Sequence, residues 1–505
     1  MESSFPLTIN GVTRRVSGDS GNQTLLAYLR SNGLTGAKEG CDVGECGSCS
    51  VAMLGRDASG RPAWRAINSC ITPLTLVAGK ELVTVEGVGG DDPDDLHSIQ
   101  AQLIRYGGSQ CGYCTPGIVM SLFEAFHRQD LETNGQFDEQ IAGNLCRCTG
   151  YRPIRDAAVA ALVESGERDG EESQFKKKLG NPIEQLEQFD FIDADGRRFF
   201  RPITIEQTLR LLKHYQGATL IAGGTEIGVE INRDHADPRT VISLEAVSEL
   251  TMIITNADSF EVGAAATLTD FDDIVGKEIR MVREILSVFG SRQIRNRATI
   301  GGNLANASPV ADLPPVLMAL EAQVRLVSSE GERSVPVHRF LTDYRETCLR
   351  EGEFIKSIII PRRTNDSPLI VRRVYKVSNR RESDIATITA AFSLTFDEGK
   401  ISSAILAFSG VADTVMRASQ TEAFLRGREW DLETANITAG LLPQVFAPIS
   451  DHRGSAEYRQ ALTGSLFMKF YHEHPRPGSL PVEHSAVGQF RNPDAPAASH
   501  YPGES

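Results

Sequence analysis

Eight of the nine cysteines fall into two sets of four. Cys41, Cys46, Cys49 and Cys70 are separated by four, two and twenty residues. Cys111 and Cys114 form a Cys-x2-Cys pair, and Cys146 and Cys148 a Cys-x-Cys pair, joined by intervening chain. Thiolates are soft, electron-rich ligands, and four of them hold either one structural zinc or an iron–sulfur cluster. Zinc favours closely spaced pairs, so the second set read alone is open to it. The x4-x2 run of the first set is the plant-type spacing that holds a two-iron cluster. Glycines at 36, 40, 44 and 47 let that loop curl and turn its amide N–H groups toward a charged centre. Short, cysteine-dense loops without a secretory leader point to metal ligands rather than disulfides. Two two-iron clusters would make this chain a carrier of single electrons. Cys348 stands apart as an inert core thiol.

Two further stretches suggest phosphate chemistry. Leu220-Ile221-Ala222-Gly223-Gly224-Thr225-Glu226-Ile227 is an apolar strand opening into a glycine turn. Thr299-Ile300-Gly301-Gly302-Asn303 begins a longer run of small and polar residues that ends near Asp312. Exposed backbone amides at such turns can cradle a pyrophosphate. Glycine turns after strands are also common as plain connections. No Gly-x-Gly-x-x-Gly fingerprint occurs, so a Rossmann site is not supported.

The elements that must position these residues follow from periodicity. Phe5, Leu7 and Ile9, then Asn10-Gly11, then Val12, Arg14 and Val16 predict a β-hairpin. Leu25, Leu26 and Leu29 share a helical face that stops at Asn32-Gly33, and strands at 51–53 and 82–85 frame Cys70. From about residue 90 the pattern is helical, with Thr115 as a cap and Pro116 at the first helical position. Ile118, Val119, Leu122, Phe123 and Phe126 form an apolar stripe. A third helix ends near Asn144 and Pro153 opens a fourth, a small bundle with cysteines at its tip. The divisions expected are 1–88, 89–163, a charged linker at 164–193, 194–367, 368–474 and a disordered tail at 475–505.

A length of 505 residues suits several domains. The net charge of −14 argues against nucleic acid as a partner. No apolar run reaches membrane-spanning length and the first residues carry no secretory signal, so the expected location is the cytoplasm.

Together these motifs resemble the iron–sulfur and flavin part of the xanthine dehydrogenase family, in particular the small subunit of its bacterial two-subunit members. The resemblance runs from residue 5 to about 472, and Gln110-Cys111-Gly112-Tyr113-Cys114-Thr115-Pro116-Gly117 is close to diagnostic of molybdenum hydroxylases. It implies an α+β multidomain fold: a ferredoxin-like β-grasp domain, a four-helix [2Fe-2S] bundle, an FAD-binding α+β domain of the PCMH/vanillyl-alcohol-oxidase type, and a C-terminal α/β domain like that of CO dehydrogenase flavoproteins. Cys41, Cys46, Cys49 and Cys70 would hold the cluster nearer the flavin. Cys111, Cys114, Cys146 and Cys148 would hold the one nearer molybdenum, with Gln110 and Cys148 toward the pterin. Leu220 to Ile227 and Thr299 to Asn303 would line the FAD pyrophosphate, and Phe289 would lie against the flavin ring. Ser308, Asp312, Ile355 and Lys376 would supply further FAD contacts. Read without the family, Lys376 is equally a solvated surface lysine. Residues 378–386 resemble the loop passing close to the flavin, and Tyr344 falls in a segment that the family places near the nicotinamide side. Gly224 stands where vertebrate members commonly carry Asn, with little consequence expected. No molybdopterin-binding region is present in the chain, so none of its residues is expected to be catalytic. The resemblance implies electron transfer from a molybdopterin-binding large subunit, in a heterotetramer, through two clusters to FAD and on to NAD during xanthine oxidation. The rival readings are the electron-transfer subunit of another molybdenum hydroxylase, a free-standing NADH-oxidising iron–sulfur flavoprotein, and a zinc-stabilised scaffold.

Overall fold

A computed structural model describes residues 2–17, 22–90, 95–128, 130–131, 134–167, 174–183, 185–362 and 369–475. Nearly all of the tail expected at 475–505 lies outside them.

The first unit is a five-stranded mixed sheet. Across it run Val12–Ser17, Ser4–Ile9, Glu81–Val83, Ser50–Arg56 and Pro62–Asn68. Asn10 and Gly11 both take positive φ, which supplies the twist of the hairpin. The Leu25–Ser31 helix packs on one face, capped by the Thr24 hydroxyl and ended at Asn32. The second unit has four helices, Ser98–Arg105, Thr115–His127, Asn134–Ile141 and Arg152–Glu167. Thr115 lies within the second of these. Its N-cap is Cys114, whose side chain makes no capping hydrogen bond, so Pro116 sits one place further in than the sequence suggested.

The stretch read as a linker carries a helix at Gln174–Leu179 and a strand at Phe189–Ile192. Phe175 anchors the helix, its ring edge-on to both Trp64 and Phe123. The strand pairs with Arg198–Arg201 and opens a four-stranded sheet ordered Phe189–Ile192, Arg198–Arg201, Thr240–Ser243, Thr219–Ile221. Phe189 and Phe191 are buried in the hydrophobic core of the first unit, which is why a charged, linker-like passage ends in ordered strand.

A five-stranded antiparallel sheet follows, ordered Ile253–Thr255, Ser259–Gly263, Phe354–Pro361, Gln323–Ser328, Gly331–Pro336. The last unit is a four-stranded antiparallel sheet, led by Leu369–Val377, Ile388–Asp397 and Lys400–Ser409 and backed by the Ala456–Glu473 helix. The fold is thus multidomain α+β, but its cores cross the divisions. Trp64 and Val83 share one core with Ile118, Leu122 and Ile154 of the helical unit. Among the described residues, no helix is long and apolar enough to cross a membrane.

Candidate functional site

The loop carrying the first three cysteines is curled by left-handed residues at Asp42, Gly44 and Gly47. Cys41 Sγ accepts from the amides of Glu45 at 3.3 Å and Cys46 at 3.4 Å. Cys70, on a short 3-10 turn after Asn68, brings its sulfur to 3.3 Å from Cys49 Sγ. Cys41 touches the sulfurs of both Cys46 and Cys70, so the four run in a chain, 46–41–70–49. Among the described residues, no three His, Cys, Asp or Glu side chains gather as one metal ion would require. Donation from neighbouring thiols pulls Cys41 and Cys49 down, and the same bonds push Cys46 and Cys70 up. Amide N–H groups of Glu45 and Cys46 face the Cys41 sulfur, as a negatively charged site requires. That all-sulfur donor set fits a two-iron cluster.

The second quartet lies at the helical tip. Cys111 and Cys148 are exposed and in contact, whereas Cys114 and Cys146 are buried and in contact. Burial first, then Cys146, pushes the Cys114 thiol up to about 12. Thr149 Oγ1 lies 3.1 Å from Cys146 Sγ. The two quartets are joined through backbone: Leu145 N donates to Cys46 O at 3.0 Å, and Asn144 Nδ2 to Gly47 O at 3.1 Å. Gly117 is needed here, because a Cβ would meet Gly47 O at 2.1 Å.

The two glycine turns meet. A Cβ on Gly223 would lie 1.9 Å from Arg297 O and 3.1 Å from Ala298 N, so the end of one turn rests on the start of the other. Gly224, at φ +78°, caps the Thr225–Asn232 helix, and Thr299 Oγ1 caps the Ile300–Ala305 helix by accepting from Gly302 N. Asn303, in that first turn, has a buried Oδ1 without a partner. A bare-backbone cradle with an unsatisfied buried amide oxygen fits a dinucleotide. Arg345, which sequence reasoning passed over for its neighbour Tyr344, reaches both helices: 3.2 Å to Asn306 Oδ1 and 3.5 Å to Glu226 Oε1. Tyr344 itself is exposed.

Lys376 is no surface lysine. Its side chain is 4% exposed, and Nζ donates to Asp312 Oδ2 at 2.8 Å and to Val288 O, beside Phe289, at 2.9 Å. Thr389 Oγ1 donates to Asp312 Oδ1. Phe289, Asp312 and Lys376 are therefore brought together, with Ser308 one turn before Asp312. Ile355 is buried in the sheet below, next to Lys356, whose carbonyl holds the Ala264 amide under Gly301. The cysteine and glycine sites also touch: Asn232 Nδ2 donates to Cys70 O and Asp42 O, both at 2.8 Å, and a Cβ on Gly228 would lie 2.0 Å from Ile71 O.

One buried carboxylate joins three units. Glu124 accepts from Arg292 Nε and Ala66 N at 3.0 Å, Gln140 Nε2 at 3.1 Å, and Asn296 Nδ2 at 3.0 and 3.2 Å. Burial alone would push its carboxyl up, yet Arg292 and Arg128 hold it below the usual carboxylate range. No sequence motif marked it.

The chain matches four families in order. Residues 7–75 match the 2Fe-2S iron-sulfur cluster binding domain, and 84–159 the [2Fe-2S] binding domain. Residues 191–363 match the FAD binding domain in molybdopterin dehydrogenase, and 373–474 the CO dehydrogenase flavoprotein C-terminal domain. These matches, on this fold and these sites, make the chain one of two iron–sulfur cluster binding domains followed by two flavoprotein domains. More particularly, the chain is related to the N-terminal, iron–sulfur and flavin part of xanthine dehydrogenase. It is 33% identical to the xanthine dehydrogenases of Emericella nidulans and Oryza sativa subsp. japonica, over 89% and 92% of its length, and 32% identical to the xanthine dehydrogenase/oxidase of Mus musculus over 89%. It spans only 37%, 39% and 37% of those proteins. Among solved structures, a chain of the Hydrogenophaga pseudoflava carbon monoxide dehydrogenase lacking the Mo-pyranopterin moiety superposes with TM-score 0.51 and 26% identity, covering 56% of this chain and 96% of that one. A Cu,Mo-CO dehydrogenase chain gives TM-score 0.50 and 28% identity over 54% and 94%.

Proposed function

We propose that this chain is the iron–sulfur and FAD subunit of a xanthine dehydrogenase, passing electrons from a molybdopterin-binding large subunit to NAD. The observation that carries the reading is contiguity. The quartet with two exposed sulfurs is joined by hydrogen bonds from Leu145 N and Asn144 Nδ2 to the loop of the other, and that one to the helix behind the dinucleotide turns. Bound there, two [2Fe-2S] clusters would move single electrons and FAD would exchange a hydride with a nicotinamide.

The chain's own residues divide the work. Cys41, Cys46, Cys49 and Cys70 hold one cluster, Cys111, Cys114, Cys146 and Cys148 the other, and amides of Glu45 and Cys46 offset thiolate charge. Leu220 to Ile227 and Thr299 to Asn303 hold the pyrophosphate, and Phe289, Ser308, Asp312, Ile355 and Lys376 line the remainder of the FAD site. Lys376 keeps a buried positive charge beside Phe289, fixed by Asp312 so that it points one way. The exposed sulfurs of Cys111 and Cys148 share the helical unit with the exposed side chains of Tyr106, Tyr113, Leu145 and Tyr151, which supports a large-subunit contact there in a heterotetramer. All nine cysteines are free, which suits the reducing cytoplasm.

The test uses the isolated full chain loaded with FAD. It should oxidise NADH with an artificial dye, leave xanthine untouched, and gain xanthine-to-NAD turnover only with the co-purifying large subunit. Xanthine turnover by the isolated chain, or no NADH-to-dye activity in a fully loaded one, overturns the reading.

A further inference from the structure

The turn that carries Phe289 is held by three successive carbonyls. Val288 O accepts from Lys376 Nζ at 2.9 Å, and Phe289 O and Gly290 O accept from Arg295 Nη1 at 3.0 and 3.2 Å. The turn joins two helices, Arg280–Leu286 and Arg292–Arg295, and Gly290 crosses it at φ +51°. A glycine in the left-handed region leaves the chain free to take other paths, so what fixes this one is the pair of clamps. Both clamps are buried cations: the Lys376 side chain is 4% exposed and that of Arg295 2%.

Cations this deep need a counter-ion. For Lys376 it is Asp312, of the FAD-binding unit. For Arg295 it comes from another unit. Arg295 Nη2 donates to Oε1 of Glu139, on the Asn134–Ile141 helix of the cysteine-bearing bundle. Among the described residues, Glu139 is the one ion-pair partner of Arg295. Burial pulls Arg295 below its ordinary value, and Glu139 opposes this more than Asp272, which itself pairs with Arg283 at 2.9 Å. The bundle also seats on the residues just after the turn. A Cβ on Gly143 would lie 2.3 Å from Ser291 Cβ, and Gln293 Nε2 donates to Ser121 Oγ at 2.7 Å and to Asn144 Oδ1 at 2.8 Å.

We propose that Glu139 and Arg295 are a positioning pair for the flavin ring: through this buried ion pair the helical unit sets the turn that presents Phe289. The proposal rests on the reading that lays Phe289 against the flavin. It gives the bundle a second task beside holding its cysteines, that of shaping a pocket in a neighbouring unit. Glu139 is neither a cluster ligand nor part of the dinucleotide turns. Once it is neutral, Arg295 loses its charged partner, its donors redistribute, and its hold on the two carbonyls slackens.

The test compares Glu139→Gln, Arg295→Lys and Phe289→Leu in the full chain with its iron in place. FAD affinity is read by fluorescence titration of deflavinated protein, and the flavin absorption bands are recorded at saturation. Glu139→Gln should keep its iron and bind FAD about tenfold more weakly, for one weakened hydrogen bond to a charged group. Its flavin bands should shift in the same direction as those of Phe289→Leu. Arg295→Lys keeps the charge but lacks the fork that reaches two carbonyls and Glu139 together, so it should shift them likewise. A merely structural Glu139 would lower the melting temperature and leave the bands of saturated protein where they were. Bands that move in Phe289→Leu but not in Glu139→Gln therefore overturn this proposal alone and leave the flavin site standing. Bands unmoved in Phe289→Leu as well overturn both the proposal and the placing of Phe289 against the flavin.

Discussion

Replacing Glu124 by glutamine removes a buried charge on which a ferredoxin-like strand, two helices of the bundle and the Arg292–Arg295 helix converge. The side chain of Glu124 is 1% exposed and that of Arg292 10%, so solvent cannot take over either charge. Every group facing the carboxylate is a donor: Ala66 N, Gln140 Nε2, Asn296 Nδ2 and Arg292 Nε. A glutamine keeps one acceptor oxygen and turns its amide against at least one of these donors. Removing one member of such a pair costs about 3–5 kcal/mol. With roughly 2–4 °C per kcal/mol for a unit of 150–250 residues, the midpoint should fall by about 6–20 °C. Differential scanning calorimetry of Glu124→Gln reads this directly. Glu124→Leu combined with Arg292→Met removes both charges and should recover part of the loss, which a double-mutant cycle quantifies. A single mutant within about 1 kcal/mol of the parent, or a double mutant no better than the sum of its singles, would refute the argument that this junction is a paired buried charge.

Other outcomes follow from single sites. Cys41→Ser and Cys148→Ser should each remove about half the iron and a different paramagnetic signal of the reduced protein, measured by elemental analysis and electron paramagnetic resonance. Gly223→Ala places a methyl where the Arg297 carbonyl already lies, so purified protein should lose most of its flavin absorbance relative to protein absorbance. Burial lowers His127 to about 4, below its usual 6.5. A depressed folded value means that its contribution is present above 6.5 and is lost as pH falls toward 4, by up to about 3 kcal/mol. Urea midpoints of His127→Gln should therefore fall less steeply than the parent's across that window.

Local patterning carried much of this molecule. The hairpin through Asn10-Gly11, the Leu25–Ser31 helix and the bundle helices follow from periodicity and turn chemistry, and the cysteine spacings announced the two iron–sulfur domains that the family matches give. What escaped was everything formed between distant segments. Glu124 meets residues 66, 140, 292 and 296, and nothing in a helical stripe distinguishes a core-facing glutamate from a solvated one. Arg345 reads as a loop arginine until the fold sets Glu226 and Asn306 on either side of it. Lys376 stood in an alternating strand, where one face gives water and the other the Asp312 carboxylate. The charged passage before Phe189 hid an ordered helix because its one fully buried residue is Phe175, wedged against Trp64 and Phe123.

The close seating of Gly117 and Asn144 on Gly47 bears on how a local change would spread. The surface that receives them is the carbonyl of a residue lying between Cys46 and Cys49, in a loop curled by left-handed residues. A change in that loop's path would take the Cys46 carbonyl away from Leu145, while the core shared by Trp64, Val83, Ile118 and Ile154 would keep the helical unit seated. A substitution in the loop is thus felt first at the tip of the helical unit, where Cys146 and Cys148 lie, and least in the core that the two units share.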